Sequence, residues 1–361
     1  MYDFSAEVSK FHRDRVRLSE VQRGDMTRRR DLNCDRIVAG LAEMGKPALV
    51  ETINQGGNAM KTMTHPPEGN EDSQYDIDMG VVFNADDTLT PRTTKGWVRD
   101  AIARNATNLK YAPEAKPKCV RVEYADGYQC DFPVFRRKLN GDRYSYEIAI
   151  SDEWVASDPL AINAWFHERV RTLSPETEGS YQLRRVTRLV KYFAKVHAFR
   201  TGLKFPAGLV ATALAVECYV PADGRDDESI YQTLVALSRR SEQLPVSANG
   251  VVVSGDRDVD RVRRLADAAK DAVAALAAIG DNSTPAEARK AWKKVFRHSF
   301  FDEANTSNGM RAPEVKAAGL AAPALISSAV AAMAQSERAE RLQSAVDARQ
   351  GAGGASQPWA R

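Results

Sequence analysis

The sequence predicts an α/β (α+β) protein in which a lobe built on a mixed β-sheet packs against a C-terminal lobe of helices. Three observations point there. Strand and turn signals crowd the stretch from about Ala48 to Phe135, whereas beyond about residue 155 helical periodicity takes over. The chain has 361 residues, too many for one small core and suited to two packed lobes. The expected division is 1–155, 156–347 and a flexible Gly-Ala-Ser tail at 348–361.

Taken in order, residues 5–45 read as helical, with apolar positions recurring among many arginines and ending at Ile37, Val38 and Leu41 before a stop at Gly45. Ala48 to Thr52 is a short apolar strand feeding the Gly56-Gly57 turn, and a helical turn begins near Asn58. Residues 64–74 form a polar loop, Tyr75 to Phe83 a strand with a buried far end, and Thr93 to Asn105 an amphipathic helix. Val120, Val122 and Tyr124 alternate with Arg121 and Glu123, Ala125-Asp126-Gly127 turns, and Tyr128 to Phe135 returns.

Ser157-Asp158-Pro159 starts a helix running to about Leu173, because a capping side chain precedes a proline at the first helical position. Tyr181 to Phe199 lines up Leu183, Val186, Val190, Phe193 and His197 on one side. Pro206 to Val220 is apolar nearly all round, and Ala222 to Glu228 reads as an acidic loop. Further helices are expected at 229–239, 257–279, 285–301 and 322–347.

Composition narrows the class. Hydrophobic content of 43% and charged content of 27% are ordinary for a globular enzyme. A net charge of +3 neither demands nor excludes nucleic acid. Cys34, Cys119, Cys130 and Cys218 are scattered without CxxC spacing, which argues against a disulfide framework or a structural zinc and for a reducing cytoplasm. No basic-then-apolar leader opens the chain, and no apolar run is long enough to span a bilayer, so a cytoplasmic protein is expected.

The chemistry is concentrated in Gln55-Gly56-Gly57, Asp76-Ile77-Asp78 and Asp131. Side chains alternate along a strand, so Asp76 and Asp78 share a face, with Cα atoms roughly 6.6 Å apart. A glycine turn able to hold phosphate, two carboxylates one residue apart and a third on another strand form the donor set of metal-dependent nucleotidyl transfer. Asp131 has a structural alternative, a core-edge carboxylate paired with an arginine. Lys191 could equally be a solvated residue of a basic helix. Trp154 and Trp165 read as core anchors, His197 as structural, Met60 and Met79 as gap fillers, and Arg28 to Arg30 as a solvated helix face.

These motifs resemble those of the bacterial CD-NTases, the cyclic-oligonucleotide synthases of CBASS anti-phage systems and relatives of animal cyclic GMP-AMP synthase. The resemblance is carried by Gln55-Gly56-Gly57-Asn58-Ala59-Met60-Lys61-Thr62, by Tyr75 to Phe83 and by Gln129-Cys130-Asp131-Phe132-Pro133-Val134. Trp154, Ser157-Asp158-Pro159, Trp165-Phe166 and Leu183 to Lys191 extend it into the helical lobe. It covers roughly residues 28–220 well.

The resemblance implies a polymerase-β-like nucleotidyltransferase lobe whose Asp76, Asp78 and Asp131 hold two Mg²⁺ or Mn²⁺ ions. It implies that Gln55, Gly56, Gly57, Lys61 and Lys191 bind the nucleotide and its phosphates. The product implied is a cyclic di- or trinucleotide made from ATP, GTP or other NTPs and read by a downstream effector. Regulatory CBASS proteins acting on the C-terminal tail would be the partners, with no membrane. Gly57 stands where the family usually has serine, so a hydroxyl contact to phosphate is lost while backbone N–H groups remain.

Linear 2′-5′ oligoadenylate synthesis, tRNA 3′-end addition or protein nucleotidylation are the nearest alternatives, and the absence of a long basic face argues against a tRNA substrate. A catalytically dead nucleotide-binding scaffold is the alternative from another class.

Overall fold

The computed structural model describes residues 2–70, 75–86, 89–177, 180–240 and 245–302. The expected helix at 322–347, the tail at 348–361, and Glu71 and Asp72 of the polar loop lie outside the described residues. Among the described residues no helix is long and apolar enough to cross a membrane.

A mixed, eight-stranded sheet forms the first layer, as the sequence predicts. Its strands are β1 (Glu51–Gln55), β2 (Tyr75–Asn84), β3 (Glu114–Ala115), β4 (Val120–Glu123), β5 (Tyr128–Phe132), β6 (Val134–Asn140), β7 (Arg143–Ile150) and β8 (Glu153–Ala156). β2 is central. β1 runs antiparallel to it, while β5 and β6 run parallel to it in one continuous register on either side of Pro133.

The Ala125-Asp126-Gly127 turn is as expected, with Gly127 at a φ of +83°. The meander of β6, β7 and β8 is longer than the expected return strand. Its Arg136, Arg137 and Tyr144 hide the strand pattern, because cation–π contacts let such side chains cover the sheet face.

Residues 5–45 are not one helix. α1 (Ser5–Phe11) passes into a π-helical turn at His12–Val16, and α2 (Glu20–Glu43) starts anew. The break comes from Ser19, whose side chain accepts from the Gln22 N–H while Gln22 reaches back, a reciprocal cap legible as Ser-x-x-Gln. Gly45, at a φ of +61°, ends the run as expected.

The short strand near Ala48 starts later than expected, at Glu51, and leads straight into α3 (Gly56–Ala59). α2 and α4 (Pro91–Asn105) cover one face of the sheet, where Ile37, Leu41, Val98 and Ile102 meet Ile77, Val81, Phe83, Val122 and Phe132. Gly40 allows the two helices to touch, since a Cβ there would lie 2.6 Å from the Ala101 backbone.

The second core is helical: α5 (Pro159–Leu173), α6 (Gln182–Thr201), α7 (Gly208–Glu217), α8 (Asp226–Ser238), α9 (Asp258–Ala277) and α10 (Pro285–Phe296). Asp158 caps α5 through the Leu160 and Ala161 N–H groups, as read from sequence. Phe4 and Phe11 of the N-terminal segment join Tyr192, Phe193, Leu214, Leu234, Trp292 and Phe296 in this core.

The acidic loop is shorter than expected. Asp226 and Asp227 open α8 and are buried; Asp226 takes two bonds from Arg185 at 2.5 and 2.8 Å, and Asp227 accepts the Phe4 N–H.

Candidate active site

The pleat of β2 sorts its residues. Ile77, Met79, Val81 and Phe83 go to the core under α2 and α4, so Asp76 and Asp78 point to the opposite face. Parallel pairing then sets Asp131 of β5 beside Asp78, and Cys130 and Phe132 turn inward. Asp76, Asp78 and Asp131 each offer an oxygen within 4.8 Å of the others. They line a cleft of about 1290 Å³ whose walls also carry Gly56, Gly57, Arg121 and Lys191.

Antiparallel pairing of β1 with β2 puts Gln55 opposite Asp78, so the glycine turn begins against that carboxylate. Gly56 has a φ of +60°, and a Cβ on it would fall 2.0 Å from Asp78 Oδ2; only glycine fits. A Cβ on Gly57 would lie 3.3 Å from Lys191 Nζ and 3.2 Å from Met63 Cγ. The Lys191 ammonium therefore stands beside the place a serine would occupy.

Lys191 is partly buried rather than spread on an open helix face. Its ammonium donates to Thr62 Oγ1 at 3.2 Å and faces the cleft. Gln55 lines the cleft too, and its Nε2 is buried without a hydrogen-bond partner among the described residues.

Lys61 is not brought to the cleft. Its side chain is exposed, and its role is backbone: at a φ of +56°, its carbonyl accepts from Arg188 at 2.6 and 3.0 Å, which pins the end of the glycine turn to α6.

Crowding of like charges marks the electrostatics. Enclosure by the cleft walls and repulsion from Asp76 and Asp131 push Asp78 up to about 8. Asp76 is raised to about 6, by enclosure and then by Asp131. Asp76 is nonetheless exposed to the cleft, and in open water the repulsion between carboxylates is the part that persists. Lys191 moves the other way, to about 7, through desolvation and then Lys195, offset by Asp78 and Asp76. A bound cation would relieve such crowding of carboxylates. Three oxygen donors converging at this spacing suit a hard divalent ion such as Mg²⁺ or Mn²⁺.

Asp131 combines the arginine pairing of its structural reading with a place among the acids. It belongs to the acidic cluster, and Arg121 grips both its oxygens, Nε to Oδ1 at 2.9 Å and Nη2 to Oδ2 at 2.8 Å. Arg121 was legible from the hairpin, since a turn at 125–127 sets it opposite Asp131. Gln129, whose amide donates to Asp76 Oδ1 at 3.1 Å, shares a strand face with Asp131 by alternation, whereas Lys195, which reaches the Thr64 carbonyl at 3.4 Å, carried no local signal.

The other candidates are structural. Trp154 donates to the Leu89 carbonyl, His197 to that of Val295, and Met60 and Met79 are buried in apolar clusters. Arg29 is stacked on Tyr128 at 3.9 Å and paired with Asp126, while Arg28 and Arg30 pair with Asp25 and Asp31.

Comparison with known proteins agrees with this fold. Residues 50–135 match the family described as cyclic GMP-AMP synthase DncV-like, nucleotidyltransferase domain. The fold is similar to that of the Vibrio cholerae DncV cyclic AMP-GMP synthase, with 14% identity, a TM-score of 0.63 and coverage of 82% of this chain and 96% of that one. It is similar as well to CdnC of E. coli MS115-1 solved with ATP, with 18% identity, a TM-score of 0.62 and coverage of 82% and 98%. A further CdnC structure, in complex with HORMA-deltaN, matches at 19% identity and a TM-score of 0.61 over 82% and 98%. Residues 50–135 thus match the DncV-like nucleotidyltransferase domain, and the chain as a whole is similar in fold to DncV and CdnC.

Proposed function

We propose that this protein joins nucleoside triphosphates into a cyclic di- or trinucleotide by two-metal nucleotidyl transfer, as a signal in anti-phage defence. The observation that carries the reading is the convergence of Asp76, Asp78 and Asp131 within 4.8 Å, in a cleft that also holds the glycine turn and Lys191. In this reading Asp76, Asp78 and Asp131 would together hold the divalent ions beside the donor triphosphate. Bound there, Mg²⁺ or Mn²⁺ supplies Lewis-acid stabilisation and makes a ribose hydroxyl acidic enough to attack.

The remaining roles belong to the chain. Gly56 leaves the space in which Asp78 stands, and Lys191 meets phosphate charge next to Gly57. The acceptor hydroxyl oxygen forms a bond to the donor α-phosphorus as the bond to pyrophosphate breaks, and the proton goes to solvent or base. A second such transfer within the linear intermediate closes a dinucleotide ring.

CdnC is seen in complex with HORMA-deltaN, which supports a regulatory partner here too. The described helices would close the cleft and select the bases. The test is incubation of purified protein with all four NTPs and Mg²⁺ or Mn²⁺, followed by nuclease treatment and mass spectrometry. Nuclease-resistant cyclic products support the reading; only linear or protein-linked products would replace it with another nucleotidyl transfer.

A further inference from the structure

We infer that Arg121 is a positioning residue that competes with the divalent cation for Asp131, so that the metal site is held shut until a cation displaces the guanidinium. The inference rests on the reading of Asp131 as a cation ligand given above.

Arg121 and Asp131 are register partners across β4 and β5, so the guanidinium meets the carboxylate without reaching along the strand. The pairing is two-pronged and takes both oxygens. One of those oxygens is among the three that converge with Asp76 and Asp78. Asp131 is 7% exposed, so water has little access to the lone pairs that remain.

A dication approaching Asp131 also meets a fixed positive charge, and like charges at such range repel strongly in an enclosed site. A carboxylate offers about four lone-pair sites, and the two best directed are filled by a planar fork. The guanidinium has room to leave, because Arg121 itself lines the cleft. Once released it faces the space in which a polyphosphate would lie, where arginine forks pair readily with phosphate oxygens.

The competition is read from Mn²⁺ affinity in the absence of nucleotide, by electron paramagnetic resonance titration of wild type, Arg121→Lys, Arg121→Gln and Asp131→Asn. Arg121→Gln should bind Mn²⁺ about tenfold tighter than wild type, opposite in sign to the loss that follows removal of a partner that merely orients a ligand. Arg121→Lys, which fills only one oxygen, should fall between. Without metal, Arg121→Gln should melt below wild type, and saturating Mn²⁺ should narrow the gap.

Equal or weaker Mn²⁺ binding by Arg121→Gln would overturn the inference, since an arginine that merely braces Asp131 predicts that result. Unchanged Mn²⁺ binding in Asp131→Asn would instead overturn the ligand assignment beneath it. If the glutamine variant does not fold, the wild type still decides. The Arg121 Nε–H resonance should move on titration with Mg²⁺ and a non-hydrolysable nucleoside triphosphate, and a resonance that stays in place overturns the inference.

Discussion

Gly56 and Asp78 occupy each other's space: a single methyl carbon on the glycine would sit 2.0 Å from the Asp78 carboxylate oxygen. Gly56→Ala should therefore displace Asp78 and strain a residue held at a φ of +60°. We expect NTP turnover to fall by about 100-fold or more and stability by about 1–2 kcal/mol. Gly57→Ala should be milder on both counts, because its Cβ would come no nearer than 3.2 Å to any atom, and the two nearest belong to the flexible Met63 and Lys191 side chains. Initial rates and urea midpoints of the two variants, compared side by side, provide the check.

Asp76→Asn with Asp78→Asn should abolish turnover and raise metal-free stability. Folded-state values of about 6 and about 8 lie above the ordinary 3.8. These carboxyls therefore favour the folded state at low pH, and that contribution is lost as pH rises through the folded values. Removing the charges at pH 8 should add about 1 kcal/mol, a figure already reduced for the water in the cleft. Calorimetry without metal would show the higher midpoint; a fall instead would mean that the carboxylates are already compensated.

Asp78 and Lys191 should give a bell-shaped dependence of kcat/KM on pH at limiting metal. Asp78 keeps its proton up to about 8, so cation binding expels it and strengthens as pH rises towards that value. Lys191, lowered to about 7, must stay protonated to meet a triphosphate, so that contact weakens above neutrality. Lys191→Arg keeps its charge at every pH tested and should flatten the alkaline limb. Lys191→Met should raise KM for NTP about tenfold or more, the loss of one charge-assisted contact.

Asp226→Ala should be purely destabilising. The Arg185–Asp226 pair is 3% and 4% exposed, and removal of one partner strands a buried charge. A cost of about 3–5 kcal/mol is expected. Chemical denaturation measures it, and kcat per folded molecule should be unchanged.

Local rules made the acidic strand, the hairpin and the capped helix at Pro159 readable, since each announces itself within a few residues: alternation on β2, a turn at Gly127, a capping Asp158. Ser19 gave an equally local signal that the periodicity of residues 5–45 masks. The cleft was less accessible. That Lys191 meets the glycine turn depends on how α6 packs, a contact between residues more than a hundred positions apart. Lys61 sits within the motif, yet its backbone conformation turns the side chain outward and leaves the carbonyl to Arg188.

Pro133 interrupts the strand that carries Asp131 without changing its phase, and the Pro133 carbonyl still accepts from the Val81 N–H at 2.9 Å. Both halves are thereby locked to β2 as a single rail, braced by a hairpin at each end. Sliding that rail by one notch would swing Asp131 under the helices and thrust Phe132 into the cleft, with the same inversion imposed on every residue as far as Arg137. The alignment of the acids is thus insured by a long ladder far from the chemistry. Substitutions around β6 and β7 that loosen it should silence the enzyme before they unfold it.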